Sequence, residues 1–284
     1  MSNQFGKTIR LFLIEGNTNG LISAELSNWT GKAFKIPRIK VKDYISREEL
    51  KNPGIYILFG KNDKNEDAAY IGEGEPVIER IKDHLNQKDF WNEVVLFVSK
   101  DAYLNKASIK YLENRLHSIG KNVNRYFIFN NNTPTMSGVS EAEQAELEEF
   151  LSNIKLLTST LGHKVFENLD ETFDKGKNKE TIFICKNSTG AYGEGSPSTE
   201  GFIVFEGAKF VKKHQASLTD SITNEKAKMV IDKLLIEEAD FYLLKKSYIF
   251  NSSSRAASII LGRSATGPGE WKTVDGITLK HFES

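Results

Sequence analysis

Gly54-Ile55-Tyr56-Ile57-Leu58-Phe59, the polar octet GKNDKNED at 60–67, and Ala69-Tyr70-Ile71-Gly72 make up the stretch on which the fold turns. The first run is β-branched and aromatic, the octet is turn-like, and the second run resumes an extended pattern. Together they predict two antiparallel strands joined by a loop. Downstream, Pro76 suits the first turn of a helix whose apolar face carries Val77, Ile78, Ile81 and Leu85. Residues 93–99 (EVVLFVS) read as another strand. Residues 105–119 read as a helix with apolar Ile109, Leu112, Leu116 and Ile119, stopped by Gly120. Upstream, residues 9–14 (IRLFLI) read as a buried strand, followed by a Gly/Asn turn at 16–20 and a short helix over 21–29.

From Ser140 the composition changes. The run SEAEQAELEEFLSNIKLL opens with Ser140 and has Glu143 three residues later, a capping-box signature for a long acidic helix. The reading is then a four-part chain: an N-terminal extension (1–49), a compact α/β domain of the α+β kind with a small antiparallel sheet flanked by helices (50–135), an acidic helical connector (136–180), and a separate C-terminal α+β domain (181–284). Strands at 181–186 and 201–207, a helix over 221–237, a helix ending at Gly262 and a hairpin around Trp271 are expected in that last part.

Composition excludes several classes. With 39% hydrophobic and 27% charged residues, the chain is neither disordered nor fibrous. One cysteine, Cys185, rules out an internal disulfide and reads as a small buried apolar residue, which fits a cytoplasmic setting. No stretch approaches the ~20 apolar residues of a membrane span, so no membrane partner is expected. The net charge of zero conceals a gradient: residues 1–134 hold 20 Lys+Arg against 16 Asp+Glu, while residues 135–180 hold 5 against 10. Lys32, Lys35, Arg38, Lys40 and Lys42 fall within eleven residues that contain no acid. The strip formed by Lys32, Lys35, Arg38 and Lys40 is a candidate phosphate-contacting surface, a solvated strand or loop being the bland alternative.

The chemistry-bearing residues lie in the basic part. Gly54-Ile55-Tyr56 and Tyr70-Ile71-Gly72 are followed by Arg80 and His84 in an Arg-xxx-His spacing, by Glu113 in the second helix, and by Asn130 after an apolar YFIF run. Singly, these are ordinary strand aromatics and surface charges. As an ordered set they resemble the GIY-YIG nuclease superfamily, over about residues 50–135. That resemblance implies a GIY-YIG nuclease fold and a metal-dependent endonuclease acting on phosphodiester bonds in DNA. It also implies Tyr56 as general base assisted by Tyr70, Arg80 and His84 at the phosphate, and Glu113 holding one Mg²⁺ or Mn²⁺.

Physical reasoning reaches the same roles. Phosphodiester hydrolysis needs a base for water, a cation on the phosphoryl group and stabilisation of the leaving oxygen. Arg80 and His84, four apart on a helix, share one face and can aim at one phosphate. One carboxylate suffices for Mg²⁺, which keeps several waters. A tyrosine with its ordinary pKa of about 10 is a poor base at neutral pH, so Tyr56 must be perturbed, and Tyr70 is expected to favour its deprotonated form. The alternative from another class is a non-cleaving module that retains the fold and binds nucleic acid.

Other signals carry less. Thr30-Gly31-Lys32 lacks the glycine and the Ser/Thr of a phosphate-binding loop, and His117, His163, His214 and His281 have no ligand partners at metal spacing. Residues 245–282 resemble a small bacterial C-terminal domain of unknown function (DUF4357-like), in which Arg255, Arg263 and Lys272 are candidate nucleic-acid contacts.

Overall fold

A computed structural model describes residues 5–101, 103–130, 132–168 and 181–284. The chain divides into two compact units, 1–167 and 168–284. It is a mixed α/β fold with two sheets and flanking helices.

The first unit is built on a seven-stranded sheet. Its strands are β1 (Ile9–Leu13), β2 (Ile22–Leu26), β3 (Gly31–Pro37), β4 (Gly54–Lys61), β5 (Asp67–Gly74), β6 (Trp91–Ser99) and β7 (Phe127–Ile128), in the order β1-β2-β3-β6-β4-β5-β7. The decisive hairpin pairs as expected: β4 and β5 are antiparallel over their full length, with Tyr56 opposite Gly72 and Leu58 opposite Tyr70. Because side chains alternate across a strand, β4 splits its apolar run between two cores. Ile55, Ile57 and Phe59 face helices α2 (Lys106–Val123) and α3 (Glu141–Thr160), while Tyr56 and Leu58 face α1 (Val77–Gln87).

Several expectations need correction. Residues 21–29 are not helical: Ile22, Ala24 and Leu26 are buried in β2, the second strand of a hairpin whose turn follows Gly16 at φ +70°. The strand at 9–13 is the sheet edge, and Leu11 and Phe12 are exposed. Nor is the N-terminal segment an appendage. Along its whole length β3 pairs with β6, so residues 9–37 complete the sheet that holds the hairpin.

Helix α2 is not stopped at Gly120. It runs on to Val123, and Asn124 supplies the left-handed cap at φ +55°. Its start is as read, with the Asn105 side chain accepting from the Ala107 and Ser108 amides at 2.9 and 3.0 Å. The acidic helix α3 has the expected capping box at Ser140 and Glu143. It does not bridge domains, however: Leu147, Phe150, Leu151, Ile154 and Leu157 are buried in the first unit's core. The acidic residues that suggested a solvated connector form only its outer side.

The second unit holds another seven-stranded sheet, from β8 (Phe183–Lys186), β9 (Tyr192–Ser198), β10 (Gly201–Val204), β11 (Lys209–Val211), β12 (Leu235–Glu237), β13 (Phe241–Leu244) and β14 (Tyr248–Phe250). Helix α4 (Asp220–Ile231) precedes β12. Helix α5 (Ser253–Leu261) starts at a Ser252 cap and ends at Gly262 with φ +66°. Residues 235–237, expected to be helical, form β12 instead. After α5 come two single turns, α6 (Gly267–Glu270) and α7 (Leu279–Phe282). Trp271 is fully buried, packs against Phe202 at 4.4 Å and donates its indole N–H to the Ser253 carbonyl at 2.9 Å. The hairpin expected around it reduces to one antiparallel bridge between Lys272 and Thr278. Cys185 is buried as expected, and burial pushes its thiol up to about 12.

Candidate active site

Parity along β4 and β5 places Tyr56 and Tyr70 on one sheet face, their ring centres 6.4 Å apart. Helix α1 crosses that face. Its apolar residues Val77, Ile78 and Ile81 seat it against the sheet, which turns His84 inward and leaves Arg80 at the rim. Two glycines make this fit possible. A methyl group on Gly72 would lie 2.3 Å from the Tyr56 hydroxyl, and one on Gly74 would lie 2.8 Å from the Val77 backbone and 2.9 Å from the Arg80 side chain. The Gly of the second tripeptide thus leaves room for the phenol of the first.

Tyr56 is 1% exposed, and its hydroxyl lies 2.7 Å from His84 Nε2. Burial, followed by Lys88 and Arg80, lowers the His84 pKa to about 4, so the imidazole is neutral at ordinary pH. The phenol therefore donates to Nε2 when Nδ1 carries the ring proton. His84 Nδ1 is buried and has no partner among the described residues.

Here the electrostatics correct the expectation for Tyr70. Burial raises the Tyr56 pKa well above the usual phenol range, and the neighbouring Tyr70 raises it further. Tyr70 is raised too, by burial and then by the Glu113 charge. Desolvation of a phenolate outweighs any help from a second phenol, so the pair stays protonated. What equips Tyr56 to move a proton is the imidazole beside it.

Asn130 is buried and fully committed to β5. It accepts from the Ile71 amide at 3.0 Å and donates to the Ile71 carbonyl at 2.7 Å. The β7 strand ends at Ile128, and Asn130 continues its pairing with a side chain in place of backbone. These two bonds make it a positioning residue for the Tyr70-Ile71-Gly72 strand, and they use its carbonyl oxygen and one of its two N–H donors. Asn130→Ala leaves two buried backbone groups unpaired. It is expected to cost about 2–5 kcal/mol, read as a lowered urea midpoint, and Asn130→Asp does not rescue it, because the carboxylate keeps the acceptor but faces the Ile71 carbonyl with no donor.

Glu113 reaches the same edge of β5 one step further along. Its carboxylate accepts from the Glu73 amide, and its charge acts on both phenols and on Arg80. Burial, then the Glu73 carboxylate, raises its pKa to about 7. Two residues at this corner carry no signal in the motif spacing: Glu73, directly after the second tripeptide, and Lys106, the first residue of α2. Lys106 Nζ sits 2.7 Å from both Glu73 oxygens. The alternation of outward-facing amides along β5 beyond the end of β7, Ile71 then Glu73, is the pattern that would have found this corner.

Among the described residues there is no group of three or more His, Cys, Asp or Glu that could cage a metal. The donor set fits a hard cation that keeps most of its waters. Glu113 is a half-buried carboxylate with an unfavourable charge of its own, the kind of group such a cation stabilises.

The basic strip behaves differently from its sequence reading. Lys32 and Lys35 lie on opposite faces of β3, and each is paired with acids from other strands: Lys32 with Glu25 at 3.2 Å, Lys35 with Glu93 at 2.9 Å. Arg38 caps the end of α1, donating to the Leu85 and Lys88 carbonyls at 2.9 and 2.7 Å, and Lys40 pairs with Glu15. The strip contains no acid in sequence but meets acids in space, and it presents no single cationic face. In the second unit Arg255 pairs with Glu225, and Arg263 with Glu270 at 2.7 Å.

No helix among the described residues is long and apolar enough to cross a membrane. No curated protein and no solved structure matches the chain. Residues 183–283 match a family described as a domain of unknown function, DUF4357, so the C-terminal resemblance extends over nearly the whole second unit, while residues 50–135 rest on their own residues and geometry.

Proposed function

We propose that the first unit is a metal-dependent endonuclease of the GIY-YIG type that hydrolyses phosphodiester bonds in DNA. The observation carrying this reading is the buried 2.7 Å contact between the Tyr56 hydroxyl and a neutral His84, with Arg80 at its rim and the Glu113 charge acting on the same phenols. A water attacking phosphorus passes its proton to the Tyr56 oxygen as Tyr56 passes its own to His84 Nε2. The phenolate, which burial disfavours, never has to accumulate. Arg80, whose side chain is 51% exposed and bound only loosely to Asp83 at 3.6 Å, is free to turn its guanidinium to the phosphoryl oxygens. Glu113 would hold the Mg²⁺ or Mn²⁺, which when bound supplies charge for the phosphoryl and leaving oxygens.

The non-cleaving alternative draws on one observation: Tyr56 is 1% exposed, so its hydroxyl is shielded from an attacking water. Incubation with supercoiled plasmid separates the two. The expected result is nicking with Mg²⁺ or Mn²⁺, arrest by a chelator, and a loss of about 10²–10³-fold in Arg80→Ala. Binding without cleavage on duplex, single-stranded and branched DNA and on RNA would favour the module that only binds.

A further inference from the structure

On the side of Tyr70 away from Tyr56, the same sheet face carries a run of aromatic rings that the proposed chemistry does not use. The parallel register of β5 and β7 sets Phe127 beside Ala68 and Ile128 beside Ala69, so the next residue, Phe129, falls beside Tyr70. Ile128 points into the opposite core, which turns Phe127 and Phe129 onto the tyrosine face. Their rings meet edge to face at 5.0 Å, and Phe90, from the turn between α1 and β6, packs on Phe129 at 4.1 Å. Phe127 is 50% exposed and Phe129 partly exposed, so the rings form a surface and not a sealed core.

A cation stands at the junction between this surface and the candidate site. Lys88 Nζ lies 4.3 Å from the Tyr70 ring centre, and its charge is felt at His84. It pairs with no carboxylate among the described residues, unlike the lysines of β3. Flat, partly exposed rings beside an unpaired cation match the chemistry of a nucleic-acid strand, whose bases stack on aromatics while its phosphates seek positive charge. A base inside an intact duplex has no free face to offer such rings.

We propose that Phe127, Phe129 and Phe90 form a stacking platform for an unpaired base next to the scissile phosphate, with Lys88 on the intervening phosphate. The inference rests on the nuclease reading for the word scissile, and it assigns the substrate class: DNA with a single-stranded segment at the cut, such as a single strand, a flap or a branch.

The test uses the full chain with Tyr56→Phe in a chelator, so that binding is read without cleavage. Fluorescence anisotropy with labelled (dT)20 and with a blunt duplex hairpin of equal charge compares Phe127→Ala, Phe127→Leu and Phe127→Trp. Phe127 is half exposed, so these variants are expected to fold, which their melting curves check. Loss of one stacked base weakens single-strand binding about tenfold in Phe127→Ala and Phe127→Leu, spares it in Phe127→Trp, and leaves the duplex unchanged. Lys88→Gln weakens single-strand binding and flattens its salt dependence.

Equal weakening on both probes, or Leu binding as well as Trp, overturns the platform. Cleavage by the unmodified protein is run on the same oligonucleotides. Ring-dependent binding without any cleavage keeps the platform and defeats the nuclease; cleavage with ring-independent binding does the reverse.

Discussion

Tyr56→Phe is expected to slow DNA cleavage by about a thousandfold under single-turnover conditions while the protein stays folded. General-base assistance is worth roughly 10²–10⁴, and the substitution removes the hydroxyl proposed to link the attacking water to His84. A stability cost comes with it. His84 Nδ1 is already unpartnered among the described residues, and loss of the phenol leaves Nε2 unpaired as well. A buried polar group without its bond costs about 1–3 kcal/mol, so the melting temperature should fall by several degrees. His84→Ala should lose activity comparably, because the proton then has nowhere to go. With His84 at about 4, the imidazole remains neutral down to that pH and places no acid limb near neutrality. Unimpaired cleavage by Tyr56→Phe would remove Tyr56 from the reaction.

The hairpin and its two tripeptides were legible in the sequence because local chemistry fixes them. Apolar β-branched runs around a polar turn make strands, and alternation then determines which tyrosines share a face. The Arg80 and His84 pair followed from helical spacing, and the helix itself from its apolar stripe. The errors share a cause: they concern segments whose state is set by distant partners. Residues 22–26 become a strand because β1 and β3 lie on either side, and α3 packs on a core its own acidic surface does not advertise.

The same holds for charge. Lys32, Lys35, Arg38 and Lys40 look unopposed only along the chain. Glu25, Glu93, Asp89 and Glu15 reach them from other elements. Burial is similarly hidden from a motif. Two tyrosines side by side suggest mutual assistance, but the desolvation that raises both is a property of the packed sheet and of α1 above it. Asn130 came from the family resemblance, its place after an apolar run choosing it among neighbouring asparagines, yet its role as a side-chain continuation of β7 needed the register to be seen.

Glu113→Gln separates what the site does from what it costs. The variant is expected to lose metal-dependent cleavage by a hundredfold or more and yet to be more stable than the parent at pH 8 without metal. The Glu113 pKa is raised to about 7 by burial and by Glu73, above its unfolded value of about 4.3. A carboxyl raised in this way binds its proton more tightly in the folded state. The contribution of Glu113 to parental stability is therefore fully present below about pH 4 and is lost as pH rises through 7.

Glutamine keeps an acceptor for the Glu73 amide and carries no charge, so its gain at pH 8 is on the order of 1 kcal/mol after allowing for solvent at this partly exposed group. At pH 5, where the parent is already protonated in the fold, the two melting temperatures should converge. Millimolar Mg²⁺ at pH 8 should then raise the parent and not the variant, since only the carboxylate gives the ion a reason to prefer the folded state. Equal stabilisation of both proteins by Mg²⁺ would take the metal away from Glu113, and a variant less stable than the parent at pH 8 would overturn the raised Glu113 pKa.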